Sequence, residues 1–110
     1  MTDDRVYLTH IQEAIERIEA YTAEGREAFM ADPMVQDAVI RNFEIIGEAT
    51  KRLGRALKQS RQDVPWRNVA GFRDVLIHNY MGVDLVEVWN IIAGYLPELR
   101  AVVDELLADG

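Results

Sequence analysis

At 110 residues the chain is long enough for one domain with a real core, and it needs no covalent staples to hold it. The absence of cysteine excludes a disulfide framework and any thiolate metal site. A net charge of −7 argues at first against a nucleic-acid partner, because phosphate backbones are met by Lys and Arg.

The distribution of charge changes that argument. Residues 1–50 carry 4 basic and 11 acidic side chains, residues 51–73 carry 7 basic and 1 acidic, and residues 74–110 carry 1 basic and 7 acidic. Lys51, Arg52, Arg55, Lys58, Arg61, Arg67 and Arg73 thus form a basic stretch inside an acidic protein. Such a stretch fits a solvated helix end and loop, and it equally fits an anion-facing strip. The N-terminus, Met1-Thr2-Asp3-Asp4-Arg5, is acidic and no long unbroken apolar run follows it. Neither a signal peptide nor a transmembrane segment is expected, which points to the cytoplasm.

In chain order, Thr2 can cap a first helix whose opening turn places Asp3 and Asp4 at the positive end of its dipole. Leu8, Ile11, Ile15, Ile18 and Tyr21 or Thr22 form one apolar stripe, so this helix belongs in a bundle. His10 lies beside that stripe with no second ligand candidate nearby and reads as an ordinary surface histidine. Gly25 fits the position after a helix end where positive φ costs least, and residues 26–31 read as a short helical connector. Asp32-Pro33 is a strong start signal: a capping carboxylate followed by proline at the first helical position.

The second long helix is predicted to run from there to about Leu57, with a broad apolar arc through Val35, Ala38, Val39, Asn42, Ile45, Ile46, Ala49, Leu53 and Leu57. Asn42, inside that arc, reads as a buried amide bonded to a neighbouring helix or to backbone. Gly47 allows close helix approach, and Arg41, Glu44, Glu48 and Arg52 are spaced for exposed ion pairs. Residues 58–64 lack apolar periodicity and read as the longest loop. Pro65-Trp66 opens a third helix with Trp66, Val69, Ala70, Leu76 and Ile77 on its buried face, expected to fray near His78 to Tyr80 and to close at Gly82. Phe72, Met81 and Trp89 read as core or dimer contacts. Asp84 and Glu87 have capping-box spacing and start a fourth helix, whose stripe runs through Leu85, Val88 or Trp89, Ile92, Leu96, Leu99, Val103 and Leu106. Pro97 predicts a kink or break near residues 93–96. The fold class that follows is all-α, an up-down bundle of four main helices with a short extra helix near residues 26–30.

Within eight residues the stretch from Gly71 to Gly82 places a fixed cation, Arg73, a group that titrates near neutrality, His78, and a phenol, Tyr80, with Asp74 and Asn79 beside them. Guanidinium grips phosphate oxygens with a bidentate fork, and imidazole can move a hydroxyl proton at pH 7. In an ideal helix, positions seven apart differ by roughly 20° and positions five apart by roughly 140°. Arg73 and Tyr80 would share a face that His78 does not, so convergence needs the helix to end near His78 or a second chain to complete the site. By themselves these residues also fit structural roles: Arg73 paired with a carboxylate, His78 at a helix end, Tyr80 in the core.

Arg73-x4-His78-x-Tyr80 resembles the R-x4-H-x-Y signature of the HEPN superfamily, in particular its HepT-like branch. Three further segments are similar to that branch: Arg41-Asn42-Phe43-Glu44-Ile45-Ile46-Gly47-Glu48-Ala49, the run from Val64 to Gly71, and the run from Val83 through Trp89 to Pro97. Asp74 departs from it, since many members have asparagine after the arginine. The resemblance implies a single HEPN domain over residues 1–110 and a homodimer whose two motifs face a shared cleft. It implies an endoribonuclease that needs no metal or other cofactor, with Arg73, His78 and Tyr80 catalytic and Asp74 and Asn79 supporting. RNA would be held by Lys51, Arg52, Arg55, Lys58, Arg61 and Arg67. It also implies a toxin whose partner, a minimal nucleotidyltransferase antitoxin, silences it by transferring AMP to Tyr80. A reading from another class stays open: a non-catalytic accessory subunit that presents substrate or nucleotide to the nucleotidyltransferase.

Overall fold

The computed structural model describes residues 2–72 and 84–109, and the described residues are helices joined by turns, without a strand. The helices are α1 (Thr2–Tyr21), α2 (Arg26–Ala31), α3 (Pro33–Arg52), α4 (Arg55–Ser60), α5 (Trp66–Ala70), α6 (Leu85–Asn90) and α7 (Leu96–Asp109). A π-helical turn, Ile91–Tyr95, joins α6 to α7 without a break. The expected all-α class holds.

Helix α1 is the hub. Its predicted stripe is buried at Leu8, Ile11, Ile15 and Ile18, joined by Ala14, whereas Tyr21 is exposed. Thr2 already lies within the helix, one position inside the predicted cap. Arg17 meets Asn42 of α3, and Asp4 meets Gly54 just past the end of α3, so α1 and α3 run antiparallel. Arg5 donates to the Leu107 carbonyl at 2.9 Å and Gln12 to Asp104 at 2.9 Å, while Arg100 pairs with Glu19, which makes α7 antiparallel to α1 as well. The first turn of α1, the last turn of α3 and the last turn of α7 therefore share one end of the bundle.

The start of α3 follows the sequence. Gly25 takes φ 97°, the left-handed region that glycine enters cheaply, and α2 begins directly after it. Asp32 then accepts from the backbone N–H of Met34 and Val35, with Pro33 at the first helical position.

Three boundaries differ from expectation. First, α3 stops at Arg52, five residues before Leu57, because Leu53 and Gly54 turn extended. The Gly54 N–H, free of the helix, donates to the Asp4 carboxylate at 2.8 Å, and Leu53 stays buried. Second, residues 55–60 are helical, so the predicted loop is shorter than residues 58–64 and begins at Arg61. Third, the expected third helix is interrupted: α5 ends at Ala70 with Gly71 as its cap, its N–H bonded to the Arg67 and Val69 carbonyls, and Phe72 is helical again. The expected fraying near residues 78–80 and closure at Gly82 lie outside the described residues. Glycine, the poorest helix former after proline, sits at each of these two stops.

Asp84 caps α6 as predicted, accepting from Val86 and Glu87. Pro97 does not break the helix. Instead the Leu96 N–H reaches back five residues to the Ile91 carbonyl. The wider turn accommodates a ring that would press on the carbonyl four residues earlier, and the apolar stripe of Val88, Ile92, Leu96, Leu99 and Val103 stays buried.

Candidate functional site

The motif residues Arg73, Asp74, His78, Asn79 and Tyr80 lie outside the described residues, as do Leu76, Ile77, Met81 and Gly82. The chain on either side defines what they border. Trp66 anchors the approach: its indole N–H donates to the Arg61 carbonyl at 3.0 Å, and its ring and Val69 are buried against the core. Phe72, the last described residue before the motif, meets Phe43 of α3 edge-on at 5.6 Å and Tyr95 at 6.1 Å. This fits the expected core role of Phe72, and Trp89 likewise packs on Phe29 at 5.6 Å.

Two adjoining cavities flank Phe72. One, of about 380 Å³, is lined by Asn68, Phe72, Glu87, Asn90, Gly94 and Tyr95, among others. The second, of about 360 Å³, shares Asn68, Phe72 and Glu87 and adds Phe43, Arg67 and Gly71. The π turn supplies Gly94 and Tyr95, so the same proline that widens the helix shapes a wall of this cleft. Burial, and then the charge of Glu98, push the Tyr95 phenol up to about 12.

The basic residues singled out from sequence do not form one strip beside Phe72. Arg67 is exposed and lines the cleft. Arg52 lies nine residues, roughly 13 Å of helix, beyond Phe43, at the end of the bundle that holds the first turn of α1. Arg55 and Lys58 follow on α4, and Lys51 precedes Arg52 on α3. Arg61 is engaged elsewhere. It donates to Asp63 at 2.8 and 3.0 Å and to Glu105 of α7 at 2.7 Å, tying the turn after α4 to the bundle. Those bonds, Asp63 first, raise the Arg61 pKa further above its ordinary value, and the Arg61 hydrogen bond holds Asp63 below the usual carboxylate range.

Asn42 is buried as read. Its Oδ1 accepts from Arg17 Nε at 2.8 Å and its Nδ2 donates to the Ala38 carbonyl at 2.8 Å. Arg41 and Arg52 pair loosely with Glu44 and Glu48, at 3.6 and 3.9 Å. Sequence reasoning missed that these residues, with Tyr7 and His10 from α1, line a groove of about 580 Å³ between α1 and α3. It also missed the cleft residues Asn68, Glu87, Asn90 and Gly94. Their signal lay in polar or glycine positions interrupting apolar stretches next to the motif.

A family profile described as "Ribonuclease HepT-like" matches residues 11–106, nearly the whole chain. The chain belongs to the ribonuclease HepT-like family. It is 44% identical over 101 residues to "Probable ribonuclease HepT" of Thermococcus cleftensis, covering 91% of this chain and 92% of that protein. It is 42% identical over 108 residues to "Putative RNase TTE0752" of Caldanaerobacter subterraneus subsp. tengcongensis, covering 97% and 96%. A third relative, "Gamma-glutamylcyclotransferase and putative RNase MJ0434" of Methanocaldococcus jannaschii, is 40% identical over 108 residues; the match takes in 97% of this chain and about half, 49%, of that longer protein. No solved structure matches. Among the described residues of this HepT-like chain, no group of acidic and histidine side chains is arranged to hold a metal, and no helix is long and apolar enough to cross a membrane.

Proposed function

We propose that this chain is an endoribonuclease that cuts RNA without a metal, acting as the toxin of a toxin–antitoxin pair. The observation that carries the reading is the HepT-like match over residues 11–106, which spans Arg73-x4-His78-x-Tyr80. RNA supplies its own nucleophile. The 2′-oxygen loses its proton as it attacks the adjacent phosphorus, the bond from phosphorus to the 5′-oxygen breaks, and that oxygen gains a proton; His78 takes the first proton or gives the second, with water exchanging the other. Arg73 holds the scissile phosphate and offsets the charge that develops on it, while Tyr80 orients the phosphate or His78. The products are a 2′,3′-cyclic phosphate and a 5′-hydroxyl. DNA lacks the 2′-hydroxyl and resists.

The chain acts as one HEPN-like domain, and two copies associate so that both motifs face one cleft. The partner is a minimal nucleotidyltransferase. It silences the toxin by moving AMP from ATP to the Tyr80 oxygen with release of pyrophosphate, which puts bulk and negative charge where RNA phosphate must sit.

The test is cleavage of a structured RNA in EDTA by protein of verified, unmodified mass, with His78→Ala in parallel. Cleavage to a cyclic phosphate by the parent, reduced about 10²- to 10⁴-fold in the variant, is the expected result. Equal absence of cleavage in both, with RNA or nucleotide still bound, would sink the nuclease reading and leave an accessory binding subunit. Coexpression with the nucleotidyltransferase should add the mass of one AMP to the parent and none to Tyr80→Phe.

A further inference from the structure

The cleft beside Phe72 combines features that a nucleobase uses and a phosphate does not. Its walls are aromatic, with Phe72 and Tyr95 at 6.1 Å and 83° to one another. Its rim carries Asn68, Glu87 and Asn90, whose side chains form no hydrogen bond or ion pair with other described residues. The Gly94 face is open: a Cβ built there meets nothing within 4 Å. At about 380 Å³ it lies in the usual range for small-ligand sites, about 300–1,000 Å³.

Charge divides the cleft into two halves. Among the described residues, the half containing Asn90, Gly94 and Tyr95 carries no cation, and its carboxylate, Glu87, repels phosphate. The adjoining half adds Arg67, exposed and without an ion pair among the described residues. A nucleotide laid across both would put its phosphate at Arg67 and its base against Phe72 and Tyr95. The carboxylate then selects among bases, because an ionised carboxylate only accepts hydrogen bonds. On the edges that single-stranded RNA exposes, guanine alone offers two adjacent donors, N1–H and the N2 amine, which one carboxylate can accept together.

The geometry points to a guanine-binding subsite: the Phe72–Tyr95 cleft takes an unpaired guanine, held by Glu87 on its Watson–Crick edge and by Asn68 or Asn90 on its remaining acceptors. The inference rests on the ribonuclease reading for its purpose, and it makes the enzyme prefer a guanosine at one position near the cut.

The test pairs a binding measurement with a cleavage measurement on the full chain. Calorimetry with GMP, AMP, CMP and UMP should show GMP bound about tenfold or more tightly than the others, an advantage that Glu87→Gln abolishes. Gly94→Leu, which fills the open face, should weaken all four. Cut sites in a randomised single-stranded RNA should carry guanosine at one fixed position for the parent and lose that bias in Glu87→Gln. Equal affinity for the four nucleotides, a bias unchanged in Glu87→Gln, or binding untouched by Gly94→Leu each overturns the subsite. RNA cleavage without base bias sinks the subsite and leaves the nuclease. Glu87-dependent GMP binding by a parent that cuts no RNA sinks the nuclease and leaves the subsite.

Discussion

Asn42 shows how a single buried amide ties two helices. At 5% exposure it cannot exchange its partners for water, so Arg17 and the Ala38 carbonyl satisfy it. Asn42→Ala should cost about 1–3 kcal/mol in urea unfolding. Arg17→Ala leaves the Asn42 oxygen unpaired, so the two losses should overlap and the double variant cost less than their sum by about 0.5–3 kcal/mol. Additive losses would show that the bond does not couple α1 to α3. The burial of Asn42 was legible because the residue falls on an apolar arc at helical spacing. Its partner was not, because spacing within one helix says nothing about which residue of another helix lies opposite. The same limit hid the Asp4–Gly54 bond, where a first-turn carboxylate that reads as a dipole partner also terminates a helix 50 residues away.

At the scale of elements, strong local chemistry was readable and compromises were not. Asp32-Pro33 and Asp84 each specify a boundary through their own backbone needs, and each boundary is where they put it, whereas Gly25 has the positive φ expected of it but caps the start of α2, four residues beyond the end of α1 at Tyr21. The run Arg55-Ala56-Leu57-Lys58-Gln59-Ser60 is rich in helix formers after a glycine stop, and its helix was obscured only because it lacks a continuous apolar stripe. Pro97 marked the right place, but sequence could not say whether the helix would break or widen. That choice is made by the packing of Ile92, Leu96 and Leu99, which a break would pull from the core. Pro97→Ala restores an N–H and removes the ring. The turn should then tighten, with the hydrogen bond of Leu96 moving from Ile91 to Ile92, visible in scalar couplings across the bond. A wide turn that persists would clear Pro97 as its cause. Tightening should also shift Gly94 and Tyr95 and thereby reshape the cleft.

Across the whole molecule, the chain-wide count of charges overstated how many cations gather beside Phe72 among the described residues. Composition located the basic stretch, but α3 and α4 carry Arg52, Arg55 and Lys58 to the end of the bundle away from Phe72, and Arg61 is spent on Asp63 and Glu105. Arg67→Ala should therefore lower kcat/KM on RNA about tenfold with an unchanged melting temperature. Arg61→Ala should do the reverse, lowering the melting temperature while RNA cleavage holds. Equal losses of cleavage in both would show that a longer basic surface is used, as a second copy of the chain could supply.

The antiparallel setting of α1 and α7, closed by the bond from Arg5 to the Leu107 carbonyl, has a mechanical consequence. A pull applied across the two helices from this end loads their contacts one after another rather than all at once. The pair should peel apart like a zipper at low force, beginning at Arg5 and Leu107 and passing Gln12 and Asp104 before reaching Glu19 and Arg100.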